Sequence, residues 1–187
     1  MQNNLPARKH PRLKGYDYSS NGAYFITLCV KDKREMLGKI VGRDALIAPS
    51  FSTNVPHIKL TQYGKVVSKH INKINSINTV VFVDSYVIMP NHIHMIIKIK
   101  QDDSGACENN IKIAENTGAM RTSRPTSTSI SSIMRSFKTM ITKELGFSLW
   151  QASYHDHIIR NEADYQRIWQ YIDENPAKWV DDYYYVE

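Results

Sequence analysis

The sequence predicts an α+β domain: a ferredoxin-like antiparallel sheet with helices on one face, plus one more helix near the C-terminus. Two apolar runs rich in β-branched residues, Tyr24–Val30 (YFITLCV) and Tyr86–Lys100 (YVIMPNHIHMIIKIK), read as strands. Three amphipathic stretches alternate with them, each with apolar residues three and four apart. The connections are of hairpin length, which favours antiparallel neighbours over a wholly parallel sheet. Helices over one face of such a sheet leave the other face open for nucleic acid.

Residues 1–22 form a basic arm with Arg8, Lys9, Arg12 and Lys14, followed by the turn formers Gly15, Asp17, Ser19, Ser20, Asn21 and Gly22. Tyr24–Val30 is nearly continuous in its hydrophobicity, as a buried central strand should be, and it ends at the charged KDKRE. Residues 36–60 carry short apolar pieces between Gly42, Pro49 and Pro56, a hairpin-like excursion. In residues 61–77, Val66, Val67, His70, Ile71, Ile74 and Ile77 make one helical stripe with Thr61 as its N-cap. Residues 79–83 lead into the strand pair that Pro90-Asn91 divides. Residues 101–127 are polar, without apolar periodicity, and read as a long loop. Ile130, Ile133, Met134, Phe137, Ile141 and Leu145 stripe a second helix over 128–145 that stops at Gly146. A short strand at 157–160 precedes a third helix over 162–174, ended by Asn175-Pro176. The expected organisation is an arm at 1–22, one domain at 23–180 carrying the 101–127 loop, and an acidic tail at 181–187.

Composition narrows the function. The chain has 187 residues, 42% of them hydrophobic, enough for one ordinary core. Its net charge of +6 favours a polyanionic partner. Asp173, Glu174, Asp181, Asp182 and Glu187 gather at the C-terminal end, so a phosphate-facing surface is not expected to include the tail. Cys29 and Cys107 make neither a disulfide framework nor a zinc set, and no stretch approaches the roughly 20 apolar residues of a membrane span. The expected location is cytoplasmic, with no membrane partner.

Chemistry concentrates in two places. Side chains in a strand alternate faces, so His92 and His94 leave one face while Ile93 and Met95 leave the other. Two imidazoles on one face are half a metal site, although a His-x-His pair also occurs as ordinary core or surface histidines. Tyr171 and Asn175, four apart on the third helix, share a face. An amide oxygen with two imidazoles suits Mg²⁺ or Mn²⁺ better than structural zinc. Spacing alone favours a packed or exposed ring for Tyr171 and a helix C-cap for Asn175.

MPNHIH inside an apolar strand pair, followed by WQASYHDHIIRNEADYQRIWQYIDENPAKW, resembles the REP-associated tyrosine transposases, single-tyrosine members of the HUH class. YFITLCVKDK resembles their first strand and SIMRSFK their penultimate helix; Trp150-Gln151, Arg160-Asn161, Asp164-Tyr165 and Asn175-Pro176 follow in the family's order. The resemblance implies that His92, His94 and Asn175 bind a divalent metal, Mg²⁺ or Mn²⁺, and that Tyr171 on the C-terminal helix is the catalytic nucleophile. It implies cleavage and rejoining of single-stranded DNA near hairpins through a 5′-phosphotyrosine link, by a monomer or homodimer. Arg8, Lys9, Arg12, Lys14, Arg135 and Lys138 are the candidate DNA-backbone contacts. Two rival readings stand beside this one: a non-catalytic nucleic-acid-binding module on the same sheet, and a metal-dependent hydrolase that uses water.

Overall fold

The structure, a computed structural model, describes residues 13, 15–42, 56–100 and 129–185. The sheet forms around the two apolar runs. Strand β1 (Gly22–Cys29) pairs antiparallel with β5 (His92–Ile99), and β5 pairs with β4 (Val81–Ile88) through the Pro90-Asn91 turn. A fourth strand, β6 (His155–Ile159), pairs with β1 on its other side, giving the order β4-β5-β1-β6. With α1 (Gln62–Ile77) between β1 and β4, and α2 (Ile130–Leu145) between β5 and β6, this is the split βαβ arrangement of a ferredoxin-like sheet. The 36–60 excursion contributes a separate two-stranded hairpin, β2 (Gly38–Val41) with β3 (His57–Leu60).

Alternation along the strands sorts two cores. Tyr24, Ile26 and Leu28 of β1 and Ile93, Met95, Ile97 and Ile99 of β5 meet Val67, Ile71 and Ile74 of α1 and Met134, Phe137 and Ile141 of α2. Both helices are capped as their sequences predict: Thr61 accepts from Gly64 N–H, and Gly146 closes α2 in the left-handed conformation. Ser129 and Ser132 add a reciprocal capping box at the start of α2.

The opposite face is not open. Helix α3 (Glu162–Glu174) crosses it and buries Ile168 and Ile172 against Ile96, with Phe25, Val87 and Ile159 packed around them. The expectation of a free sheet face for nucleic acid therefore fails. The even-numbered residues of β5 and odd-numbered residues of β1 that point this way include Ile96 and Phe25, and burying them needs a third helix on that side. Residues 179–185, expected as the edge of the domain and an acidic tail, fold back onto the same face: Trp179 is buried, and the rings of Trp179 and Tyr184 pack on His92.

The hairpin fixes the start of α1. Leu37 carbonyl accepts from Thr61 N–H at 3.0 Å, and a Cβ on Gly64 would stand 2.0 Å from that carbonyl oxygen. Gly64→Ala should cost on the order of 1–3 kcal/mol through overpacking, read as a lower urea midpoint. An unchanged midpoint would mean that the hairpin and helix separate without loss.

Candidate metal and tyrosine site

The histidines of β5 lie at the strand's start, on the α3 side, and are fully buried. His92 Nε2 and His94 Nε2 face each other at 2.9 Å. Their other nitrogens are engaged: His92 Nδ1 with Asn91 Oδ1 at 2.8 Å, and His94 Nδ1 with Thr27 Oγ1 at 2.8 Å. The Asn91 amide is oriented by its own donors, which reach the carbonyls of Tyr184 at 2.8 Å and Lys33 at 3.3 Å. Its oxygen is thus the group facing His92, so His92 donates from Nδ1 and carries its lone pair on Nε2. The Thr27 hydroxyl can donate to or accept from His94, and so serves either tautomer of that ring.

Three further groups close around the nitrogens. Tyr171 Oη lies 3.2 Å from His94 Nε2 and donates to Asp182 Oδ2 at 3.1 Å. Asn175 Nδ2 donates to the same oxygen at 3.0 Å. Asp182 Oδ1 accepts from Tyr184 N–H at 2.6 Å, which fixes the carboxylate. His92, His94 and Asp182 each offer a ligand atom, all within 4.8 Å of one another. The rings of Phe25, Tyr171 and Tyr184 pack round His94, with Phe25 stacked at 5.2 Å.

The donor set fits a divalent cation. Two imidazole lone pairs at this separation repel unless a proton or a cation stands between them. Ligands about 2.1 Å from one ion at a right angle are roughly 3 Å apart, close to the spacing here. A carboxylate completes a nitrogen and oxygen set without thiolates, which suits a divalent cation. Asn175 Oδ1 is buried with no hydrogen-bond partner, so a second oxygen donor is at hand beside Asp182.

Burial pulls the His92 imidazole down to about 3, with Lys33 adding to the effect, and pulls His94 well below its ordinary value, with His92 adding there. Both rings are neutral ligands at neutral pH. Burial, and then the Asp182 charge, push the Tyr171 phenol well above its usual value. The same burial makes the metal-free protein sensitive to acid. Below about pH 6.5 the unfolded chain binds protons on these histidines, whereas folded His92 resists until about 3. Stability should therefore be full above about pH 6.5 and fall as the pH drops from there toward 3. In EDTA the urea midpoint should be lower near pH 5 than near pH 7.5, and replacing both histidines with Gln should flatten the difference.

The predicted residues divide. His92, His94, Tyr171 and Asn175 come together. Lys138 points its ammonium at the carbonyls of Gln151, Ala152 and Ser153, at 2.7, 3.1 and 3.2 Å, and so holds the chain ahead of β6; as a free phosphate contact that expectation does not hold. Arg135 is exposed on α2, in the layer on the far side of the sheet. Arg8, Lys9, Arg12 and Lys14, and the 101–127 loop, lie outside the described residues. Sequence reasoning missed Asp182, Asn91 and Thr27. Asn91 carried a signal, since it stands inside MPNHIH directly before His92, where an amide can orient that ring as well as turn the hairpin. Asp182 carried none but its charge.

The order of strands and the site define a ferredoxin-like α+β domain with a candidate His-His-Asp metal centre. The structure of a REP-associated tyrosine transposase bound to a REP hairpin superposes with a TM-score of 0.56, at 21% identity over 90% of this chain and 74% of that one. A candidate transposase from Deinococcus radiodurans R1 gives a TM-score of 0.38 at 13% identity, covering 87% of this chain and 95% of that one. No family model matches the chain. An uncharacterized protein of Haemophilus influenzae is 34% identical over 186 residues, 96% of this chain and 94% of that protein, and the chain belongs to one family with it. The fold is the one the sequence resemblance implies. Among the described residues no helix is long and apolar enough to cross a membrane.

Proposed function

We propose that the chain is a metal-dependent single-strand DNA endonuclease and transposase that cleaves and rejoins DNA near hairpins, with Tyr171 as nucleophile and Mg²⁺ or Mn²⁺ as cofactor. The observation that carries the reading is the convergence of His92, His94, Asp182 and the Tyr171 hydroxyl on one point, the histidines buried and the tyrosine open to solvent. A phosphodiester there is attacked by Tyr171 Oη: the new bond joins phosphorus to the tyrosine, the bond to the 3′-oxygen breaks, and the strand leaves with a free 3′-hydroxyl. Asp182 Oδ2, which already accepts the phenol's hydrogen bond, is the nearest base for its proton. Phe25 meets the Tyr171 ring edge-on at 6.1 Å and, with His94, holds it at the site; the phosphotyrosine link keeps the phosphodiester free energy and is attacked in turn by another 3′-hydroxyl. A bound divalent ion supplies neutralisation of charge on the phosphoryl group, and His92, His94, Asp182 and Asn175 are the residues to hold it.

The hairpin partner rests on likeness to the REP-bound transposase and on the basic arm, whose Arg8, Lys9, Arg12 and Lys14 we assign to DNA phosphates. The binding-module alternative needs an open sheet for stacking, and α3 covers it. The test is to incubate the protein with Mn²⁺ and a single-stranded hairpin from the DNA flanking its own gene, then denature. A protein–DNA adduct that survives denaturation supports the reading; cleavage with no adduct would sink the tyrosine mechanism in favour of a water nucleophile.

A further inference from the structure

Beside the metal centre the chain makes a tight turn at Lys31–Lys33, where Asp32 and Lys33 both adopt left-handed backbone, φ 59° and 52°, without glycine. Such conformations cost free energy and persist where the surroundings over-determine them. Here Lys33 carbonyl accepts from the Asn91 amide, the group that orients His92, and Lys31 N–H donates to Leu149 carbonyl at 2.9 Å. The turn is bonded to the site's own framework. Lys31 is exposed and Lys33 half-buried, and among the described residues no carboxylate lies within 4.0 Å of either ammonium; Asp32 leans instead toward Arg34, at 4.0 Å.

Across from the turn is Tyr183, 83% exposed, next in sequence to Asp182. Lys33 Nζ sits over its ring at 5.4 Å from the centroid, and over Tyr184 at 5.8 Å. Tyr183 meets Tyr184 edge-on at 5.2 Å, and Tyr184 lies 4.6 Å from His92. An exposed aromatic face is thus two ring contacts from the candidate metal ligands, with the Lys33 ammonium over it and no carboxylate on that ammonium among the described residues. On the other flank of the turn a cleft of about 210 Å³ is lined by Lys31, Arg34 and Phe147 among others.

We propose that Tyr183 and the Lys31–Lys33 turn form a nucleotide subsite beside the metal centre: a base of single-stranded DNA stacks on the exposed face of Tyr183, its phosphate lies against Lys33, and the next phosphate meets Lys31 at the cleft. The chain beyond that base continues into the cleft past Lys31. Stacking on an open ring and contact with two point charges are tolerant of sequence, so this subsite holds the strand in place and leaves selection of the target to other contacts. The assignment rests on the single-strand DNA reading of the site.

The test measures binding of a short single-stranded oligonucleotide carrying 2-aminopurine at successive positions, in the full chain with Tyr171→Phe to prevent turnover, with Mn²⁺ and again in EDTA. Tyr183→Ala should weaken binding roughly tenfold and remove the stacking quench at one position, while Tyr183→Phe should restore both. Lys31→Ala with Lys33→Ala should lower the slope of log affinity against log salt by about 1.4, two contacts at roughly 0.7 each. Normal affinity and salt slope in these variants, in a protein whose wild type forms the covalent adduct, would overturn the subsite and leave the proposed function standing. Weakened binding in the variants of a protein that forms no adduct would keep the subsite and reject the strand-cleavage reading. Failure of the unmodified surface to bind the oligonucleotide at all overturns the subsite. Unchanged melting of Tyr183→Ala checks that the loss is not one of folding.

Discussion

Tyr171→Phe is expected to reduce strand cleavage and adduct formation together by at least about 10³-fold, the scale on which removal of a nucleophile acts. The substitution removes one hydroxyl from a residue that is 39% exposed. The ring keeps its contacts, 5.1 Å from His94 and 6.1 Å from Phe25, and the lost hydrogen bonds to His94 and Asp182 should cost on the order of 1 kcal/mol of stability. Fold and oligonucleotide binding should survive. Tyr165→Phe is the matched control on the same helix: the Tyr165 hydroxyl donates to Asp84 beside Lys98, four residues and roughly 13 Å along β5 from His94. It should keep cleavage. A retained adduct in Tyr171→Phe would turn attention to Tyr184, whose ring lies on His92; Tyr154 is buried in the core on the far side of the sheet.

What was legible in the sequence was local. Period-two alternation is a property of the strand itself, so YVIMPNHIHMIIKIK placed both histidines on one face before any neighbour was known. Thr61, Gly146 and the apolar stripes of α1 and α2 likewise act within a few residues. Tyr171 and Asn175 fell on one face of α3 for the same reason.

What was not legible depended on partners distant in sequence. The stripe of α3 says which side of the helix is apolar, and nothing about which face of the sheet it covers. That choice is made by Phe25 and Ile96, which the alternation of β1 and β5 turns away from α1 and α2 and which therefore need cover. Lys138 looks like any exposed helix cation until the 151–153 carbonyls are in place to receive it. Asp182 is harder still. It lies past Pro176, in a stretch whose carboxylates argued against a DNA-facing surface, and only the fold-back of Trp179 and Tyr184 onto His92 carries it to the histidines. A carboxylate repels a phosphate when free and attracts the cation that binds one when it faces two imidazoles, so charge counting alone gave it the wrong sign.

The second large effect follows from that residue. Asp182→Asn should lower Mn²⁺ affinity by about a hundredfold, measured by calorimetric titration, because it removes the one anionic donor of the set. Asn175→Ala should cost less, on the order of tenfold, if its part is to orient Asp182 through the 3.0 Å hydrogen bond. The reverse order would make the buried Asn175 Oδ1 the ligand and Asp182 its support. A metal-free readout separates a ligand from a merely structural residue. The Asp182 charge helps to raise the Tyr171 phenol, so Asp182→Asn should bring the tyrosinate absorbance of Tyr171 in at lower pH in EDTA, whereas Asn175→Ala removes a hydrogen bond that lowers it and should move it up. Unchanged Mn²⁺ affinity with a lowered tyrosine titration would leave Asp182 as the phenol's partner alone, and the ion would then have to be held by His92, His94 and Asn175.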